Sequence, residues 1–374
     1  MKHQAIYGVL RPLVAVFLRW KFGYTYEVTK NLPDTYIVLS NHTTDYDPLF
    51  VAASFPKFMH FVASEHVARW KWLSSLLSFA FAPIWRYKGS VAASTVIEVF
   101  KKIKGKTSVC IFAEGARSWD GVTATILPST GKVIKKANCA LVTYKIIGGY
   151  FASPNWSTKN TRKGYVHGAP VNIYTKEQLA DMTIDEINEI IRRDLYEDAY
   201  ARQLQTPRKY VGKNLAESAE NLLFICPDCG AQDTISSKGN AVSCKKCDYH
   251  FTYNEYGMLE GTDFQTMREL ADWEREEVRR AAGDQQSYTS LGGTLITVVK
   301  HQESPVSQGA ITLSAQSLKC GEKEIPLEAI SDMAMHGRRA LVFTAEKTYY
   351  ELVPSEEANA LKFLWLYEAY KNQL

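Results

Sequence analysis

SNHTTDYDPLF, residues 40–50, decides how the first half of this chain is read. It is entered from YIVLSN (36–41), a β-branched and aromatic run of strand length. Pro48 follows Asp47, and proline suits the first turn of a helix. The pattern predicts a strand that ends here and a helix that begins here. His42 and Asp47 are separated by four residues, H-x-x-x-x-D. A histidine titrating near neutrality can take a proton from an alcohol as it attacks a carbonyl. It does this best when a carboxylate holds its other ring nitrogen. The same residues have a plainer reading, with Asp47 as an N-cap before Pro48 and His42 as a structural histidine. Asp45 is a rival carboxylate.

Working outward, FVAS (61–64), SVCIFA (108–113) and ALVTYKII (140–147) also have strand length. VAASTVIEVFKKIK (91–104) follows Ser90, an N-cap residue type, and stops at Gly105, so it predicts a helix. Strands alternating with helices imply an α/β domain, with functional groups in the loops after the strands. IDEINEIIRRDLYEDAYARQL (184–204) reads as one amphipathic helix closing that domain, and TPRKYVGKN (206–214) as a linker. At the start, MKHQAIYGVLRPLVAVFLRW has no small-residue cleavage site after its apolar stretch. Arg11 and Pro12 interrupt it, short of the roughly 18 apolar residues a spanning helix needs. An interfacial helix flanked by Arg11, Arg19, Trp20 and Lys21 is expected.

Two further segments carry chemistry. In SVCIFAEGARSWDG (108–121) a strand gives way to a turn at Glu114–Gly115. Gly115 lets a ligand approach the backbone closely, and Arg117 offers a planar fork suited to phosphate. Alone, EGAR is also an ordinary strand exit with a surface ion pair. In FAPIWRYKGS (81–90), Arg86 and Lys88 follow an apolar stretch containing Trp70, Trp72, Leu73, Leu76, Leu77, Phe79, Phe81 and Trp85. That stretch reads either as a core helix with a charged end or as a greasy surface beside cations for a phosphate head group.

HTTDYD, RYKGS, FAEGARS and ALVTYKI, in that order, resemble the four blocks of the glycerophospholipid acyltransferase family, 1-acylglycerol-3-phosphate acyltransferases especially. The resemblance covers residues 1–205. It implies that His42 is the general base and Asp47 orients it. It implies that Arg86, Glu114, Gly115 and Arg117 bind the acceptor's phosphate. The reaction implied is acyl transfer from acyl-CoA or acyl carrier protein to the free hydroxyl of a lysophospholipid, lysophosphatidic acid foremost. Three residues depart from the pattern: Ala113 and Ala116 replace proline and threonine of the third block, and Thr143 replaces a proline of the fourth.

CPDCG (226–230) and CKKC (244–247) give C-x2-C-x14-C-x2-C. Cys226, Cys229, Cys244 and Cys247 suit a closed tetrahedral zinc site of four thiolates. They resemble a zinc ribbon, with His250 a possible substitute ligand. The other thiols, Cys110, Cys139 and Cys320, lie in apolar runs, and a reducing compartment is expected. The loop ISSKGNAV lacks the interleaved basic and aromatic residues of a nucleic-acid platform. No nucleic-acid partner is expected.

Four regions are thus expected: an acyltransferase domain of mixed sheet and helices (1–205), a zinc ribbon (222–260), a charged linker helix (264–283) and a small β domain with a C-terminal helix (286–374). The last resembles a pleckstrin-homology or GRAM fold, with Arg338 and Arg339 between two of its strands. The net charge of +4 fits attraction to an anionic leaflet better than nucleic-acid wrapping. The expected location is the cytoplasmic face of a membrane, peripheral or monotopic. The competing classes are a non-catalytic lipid-binding scaffold and a nucleic-acid- or protein-binding zinc protein.

Overall fold

The computed structural model describes residues 2–64, 82–86, 92–158, 160–299 and 302–372. Trp70, Trp72, Leu73, Leu76, Leu77, Phe79, Phe81, Lys88 and Ser90 lie outside the described residues. The chain divides into two units: Met1–Asn155 with Thr161–Gly212, and Trp156–Asn160 with Lys213–Leu374.

The first unit runs α1 (Lys2–Phe22), β1 (Tyr24–Tyr26), β2 (Tyr36–Ser40), α2 (Asp47–Ser54), β3 (Met59–Ser64), β4 (Ile84–Arg86), α3 (Ala92–Lys104), β5 (Ser108–Phe112), α4 (Ser129–Ala137), β6 (Ala140–Ile147), α5 (Gly149–Ala152), β7 (Val166–Tyr174), α6 (Lys176–Asp181), α7 (Ile184–Leu195) and α8 (Ala199–Gln205). Its seven strands form one sheet in the order β1-β7-β6-β2-β5-β3-β4. Among the described residues of this sheet, only the β6–β7 pair is antiparallel. This is the mixed sheet expected. All five residues of β2 are buried, as a central parallel strand covered on both faces requires. Ile37 and Leu39 join Leu141 and the Ile187, Ile191 and Leu195 stripe of α7 in one cluster. On the other face Tyr36 meets Phe55, just beyond α2.

The helix expected over 184–204 is two helices. Glu197 breaks it, because its N–H donates to Thr123 Oγ1 and its carbonyl accepts from Thr123 N–H. Asp198 then caps α8 by accepting from Ala201 N–H. At the other end of the unit, α1 runs unbroken through Pro12 and packs on α2. Tyr7 OH donates to the carbonyls of Ala52 and Phe55, and Arg11 Nε to that of Ala53. These bonds satisfy acceptors at a helix C-terminus that would otherwise lack partners.

The second unit opens on an antiparallel sheet of β8 (Ile235–Lys238), β9 (Ala241–Cys244), β10 (His250–Tyr253) and β11 (Leu259–Glu260). Helix α9 (Met267–Gly283) follows, its Thr266 cap accepting from Glu269 N–H. Next come β12 (Tyr288–Ser290), β13 (Gly293–Val299), β14 (Gln302–Gln308), β15 (Ile311–Leu313), β16 (Ser317–Cys320), β17 (Lys323–Pro326), β18 (Ile330–His336), β19 (Ala340–Ala345) and β20 (Thr348–Pro354), and then α10 (Leu361–Tyr370). These strands form two antiparallel sheets, β12-β15-β16-β17 and β14-β13-β20-β19-β18. Arg338 and Arg339 lie in the turn between β18 and β19.

Side-chain contacts link the parts of this unit. Phe224 contacts Tyr288 and Trp365, and Arg275 of α9 lies over Trp365 at 4.5 Å. Lys362 is fully buried and bonds the Asp233 carboxylate and, at 2.6 Å, the Thr289 carbonyl. Burying a lysine is costly unless it is paired, which these two acceptors accomplish. Trp156 also belongs here. It is fully buried, edge-on to Tyr253, and its carbonyl accepts from Asn221 Nδ2.

Candidate active site

The parallel register of β2 and β5 pairs Ser40 with Phe112. Two residues further along each strand stand His42 and Glu114. Both therefore emerge at the carboxyl end of the sheet, where ligands of open α/β folds bind. Arg86 ends β4 on the same side, paired with Ser64 of β3. Asn41 fixes the exit of β2 by bonding both the N–H and the carbonyl of Ile146 on β6.

Asp47 is the first residue of α2 and not its cap; Tyr46 holds the cap position without a side-chain bond. The fully buried Asp47 carboxylate turns back into the loop. Its Oδ2 lies 2.7 Å from His42 Nδ1 and accepts from the N–H groups of Thr43 (2.6 Å) and Thr44 (2.9 Å). Those two backbone donors suit an ionised carboxylate. Being an acceptor only, it keeps the His42 proton on Nδ1 and leaves Nε2 as the basic nitrogen. The imidazole stacks on Phe112, with centroids 4.3 Å apart, and its side chain is 21% exposed. Asp45, the rival carboxylate, pairs instead with Arg117 at 2.7 Å.

Glu114 is held by the backbone of two loops. It is buried, and both oxygens are engaged by backbone: Oε1 by His42 N–H and Oε2 by Ala124 N–H, each at 2.6 Å. Burial pushes its carboxyl up to about 8, against those two N–H groups, which pull it down. It braces the His42 loop. Ser118 N–H donates to the His42 carbonyl at 2.9 Å, so the third block holds His42 from both sides.

Gly115 has φ +72, a left-handed conformation in which a side chain would be strained. A Cβ there would lie 3.8 Å from Arg86 Nη1, which puts that guanidinium over the turn. Arg86, Gly115 and Arg117 thus gather beside His42. Thr143 does not join them; its hydroxyl donates to the buried Asp194. Asn41, Phe112 and Ser118 were not picked out from sequence. Asn41 alone had a signal, as an asparagine at a strand exit. A separate cavity of about 150 Å³ is lined by Arg202, Arg208 and Tyr210, with Glu197 in a bidentate pair with Arg202.

In the second unit the sulfurs of Cys226, Cys229, Cys244 and Cys247 all lie within 4.8 Å of one another. Cys226–Cys247 and Cys229–Cys244 are 3.5 and 3.8 Å apart. Zinc–sulfur bonds of about 2.3 Å at tetrahedral angles would separate sulfurs by about 3.8 Å, so the four fit such an ion. His250 is exposed and its Nδ1 faces the Asp248 carbonyl.

Residues 24–147, within the first unit, match the family model described as Acyltransferase. The match spans β1 through β6 and includes His42, Asp47, Arg86, Glu114, Gly115 and Arg117. Among solved structures, the 1-acyl-sn-glycerophosphate (LPA) acyltransferase PlsC from Thermotoga maritima is similar at 16% identity and a TM-score of 0.46, over 55% of this chain and 81% of that one. No curated protein matches.

Proposed function

We propose that the chain transfers a fatty acyl group from acyl-CoA or acyl carrier protein to the free hydroxyl of a lysophospholipid, lysophosphatidic acid giving phosphatidic acid. The observation that carries this is the 2.7 Å contact of His42 Nδ1 with Asp47, within the residues that match the Acyltransferase model. His42 Nε2 takes the hydroxyl proton as the acceptor oxygen attacks the thioester carbonyl. Asp47 stabilises the imidazolium and holds its plane. The tetrahedral oxyanion collapses, the carbon–sulfur bond breaks, and the imidazolium returns the proton to the departing thiolate. Ester and free thiol result, with no acyl-enzyme. Arg86 and Arg117 supply charge-assisted bonds to the acceptor's phosphate, and Gly115 leaves it room.

Membrane attachment belongs to the same reading. Val9, Leu13, Val16 and Trp20 of α1 are each more than 60% exposed, at positions that share one helix face. No helix among the described residues is long and apolar enough to cross a membrane. This face suits an interfacial helix at the cytoplasmic leaflet, with Arg19 and Lys21 in its last turn. The four cysteines would hold structural zinc, and the two antiparallel sheets with α10 support the pleckstrin-homology-like reading of the end region.

The test is incubation with labelled acyl-CoA and a panel of glycerol 3-phosphate, monoacylglycerol and lysophospholipids, followed by lipid analysis. Label is expected in phosphatidic acid. Absence of transfer to every hydroxyl acceptor would overturn the reading.

A further inference from the structure

Beyond the end of β6, the first unit folds a second cationic pocket that the proposed reaction does not use. Its volume of about 150 Å³ is the liquid share of roughly five water molecules, room for a phosphate group on a short stem. Ile147 and Phe151 form an apolar wall, and Glu197, Arg202, Arg208 and Tyr210 a polar one. Ile147 ends β6, and Asn41 bonds the residue before it, Ile146. The cavity therefore lies at the end of the sheet that carries His42.

The polar wall is held in place by specific bonds. Gln203 is buried, and its side chain bonds both the carbonyl and the N–H of Arg208. The Arg208 guanidinium lies over the Tyr165 ring at 5.2 Å, and Tyr210 OH donates to the Tyr165 carbonyl at 2.9 Å. A ring face holds a cation without consuming its N–H donors. Among the described residues no carboxylate pairs with Arg208. Arg202 spends Nε and Nη2 on the buried Glu197 carboxylate, which leaves its Nη1 group for another acceptor. Two guanidinium groups against one carboxylate leave the pocket one negative charge short of balance.

We infer that this cavity is an anion site that takes a phosphate group on Arg208 and Arg202, separate from the site proposed at Arg86 and Arg117. Phosphate offers three acceptor oxygens and up to two charges, so it can accept from both guanidinium groups at once. Glu197 fixes Arg202 for this purpose and is too few charges to replace the ligand. The group has two sources, free phosphate and the phosphate-bearing carrier of the proposed acyl donor, and the experiment separates them.

Binding of inorganic phosphate is followed by the broadening of its ³¹P resonance. The protein is the full chain carrying Arg86→Ala and Arg117→Ala, so that the proposed acceptor site does not contribute. Saturable binding is expected there. Adding Arg208→Ala should weaken it about three- to tenfold, the loss of one partly exposed charge-assisted contact. Arg208→Lys, which keeps the charge but not the fork, should fall between, and it serves if circular dichroism shows that Arg208→Ala does not fold. No saturable binding in the starting protein, or an affinity unchanged by Arg208→Ala, would overturn the inference. The source is read from Arg208→Ala in the otherwise wild-type chain. A KM raised for acyl-CoA alone assigns the site to the donor's phosphate, and unchanged constants for both substrates assign it to the free ion. A raised KM for lysophosphatidic acid would make the cavity part of the acceptor site and overturn the inference. The phosphate titration needs no acyl transfer, so it stands whether or not the proposed reaction does.

Discussion

Two buried glutamates, one in each unit, perform similar work with different geometry. Glu114 spends one oxygen on His42 N–H and the other on Ala124 N–H. Glu274 of α9 accepts from Phe224 N–H and Ile225 N–H on Oε1 at 2.7 Å, while Oε2 has no hydrogen-bond partner among the described residues. One braces the turn that presents the imidazole. The other braces the segment leading into the Cys226 knuckle. Burial pushes each carboxyl up to about 8, opposed in both by the backbone N–H groups. The contrast lies in what an amide could replace. Glutamine can mimic a carboxylate that accepts on one oxygen; it cannot mimic one that accepts on both.

The most severe disruption removes what the first brace presents. His42→Ala should lower turnover by roughly 10²–10⁴-fold with the fold intact, as circular dichroism and single-turnover transfer would show. Wild-type single-turnover rates would exclude the proposed mechanism.

Glu114→Gln should come next. Its amide nitrogen must face either His42 N–H or Ala124 N–H, donor against donor, at a cost of about 1–3 kcal/mol. The imidazole should shift, and turnover should fall by up to about 10²-fold with little change in KM for the thioester. A variant with unchanged turnover and a raised KM for lysophosphatidic acid would show that Glu114 touches substrate after all.

In the second unit, Cys244→Ser should abolish the proposed zinc binding, measured by metal analysis, and expose residues 222–260 to limited proteolysis. Its effect on turnover should be smaller than that of Glu114→Gln. Protein prepared without chelator that holds no zinc would remove the metal assignment.

The mildest change is Glu274→Gln. The folded-state value of Glu274 stands above the ordinary carboxylate value, so the folded chain holds a proton that the unfolded chain has released. This group's contribution to stability therefore falls as pH rises from about 4 to about 8. Glutamine removes that slope. Compared with wild type, the variant's Tm should drop less between about pH 5 and about pH 9. Equal slopes in the two proteins would refute the comparison.

Much of this was visible in the linear chain, for definable reasons. His42 with Asp47, and the two cysteine pairs, are local patterns whose spacing carries the chemistry. Glu114 was visible as a residue but not as a brace, because its role depends on β2 and β5 being neighbours in the register that pairs Ser40 with Phe112. Two of the strands that the sequence does not announce share a reason. Both β7 (VHGAPVNIY) and β14 (QESPVSQ) contain a proline, Pro170 and Pro305, and each proline sits at a register shift against its partner strand. Proline inside a run argues against a strand unless a bulge excuses its missing N–H, and a bulge is a property of the pair. The break at Glu197 likewise depends on Thr123, far away in sequence.

The excursion of Trp156–Asn160 bears on how the chain can be divided. A cut after Gly212 follows the later boundary between the two units, yet it leaves Trp156 on the wrong fragment. The first fragment then carries an indole that was fully buried elsewhere, and the second lacks the ring that packs on Tyr253 and the carbonyl that Asn221 held. Neither piece is a clean module. Dissection should either keep the chain whole or replace Trp156 in the first fragment with a polar residue.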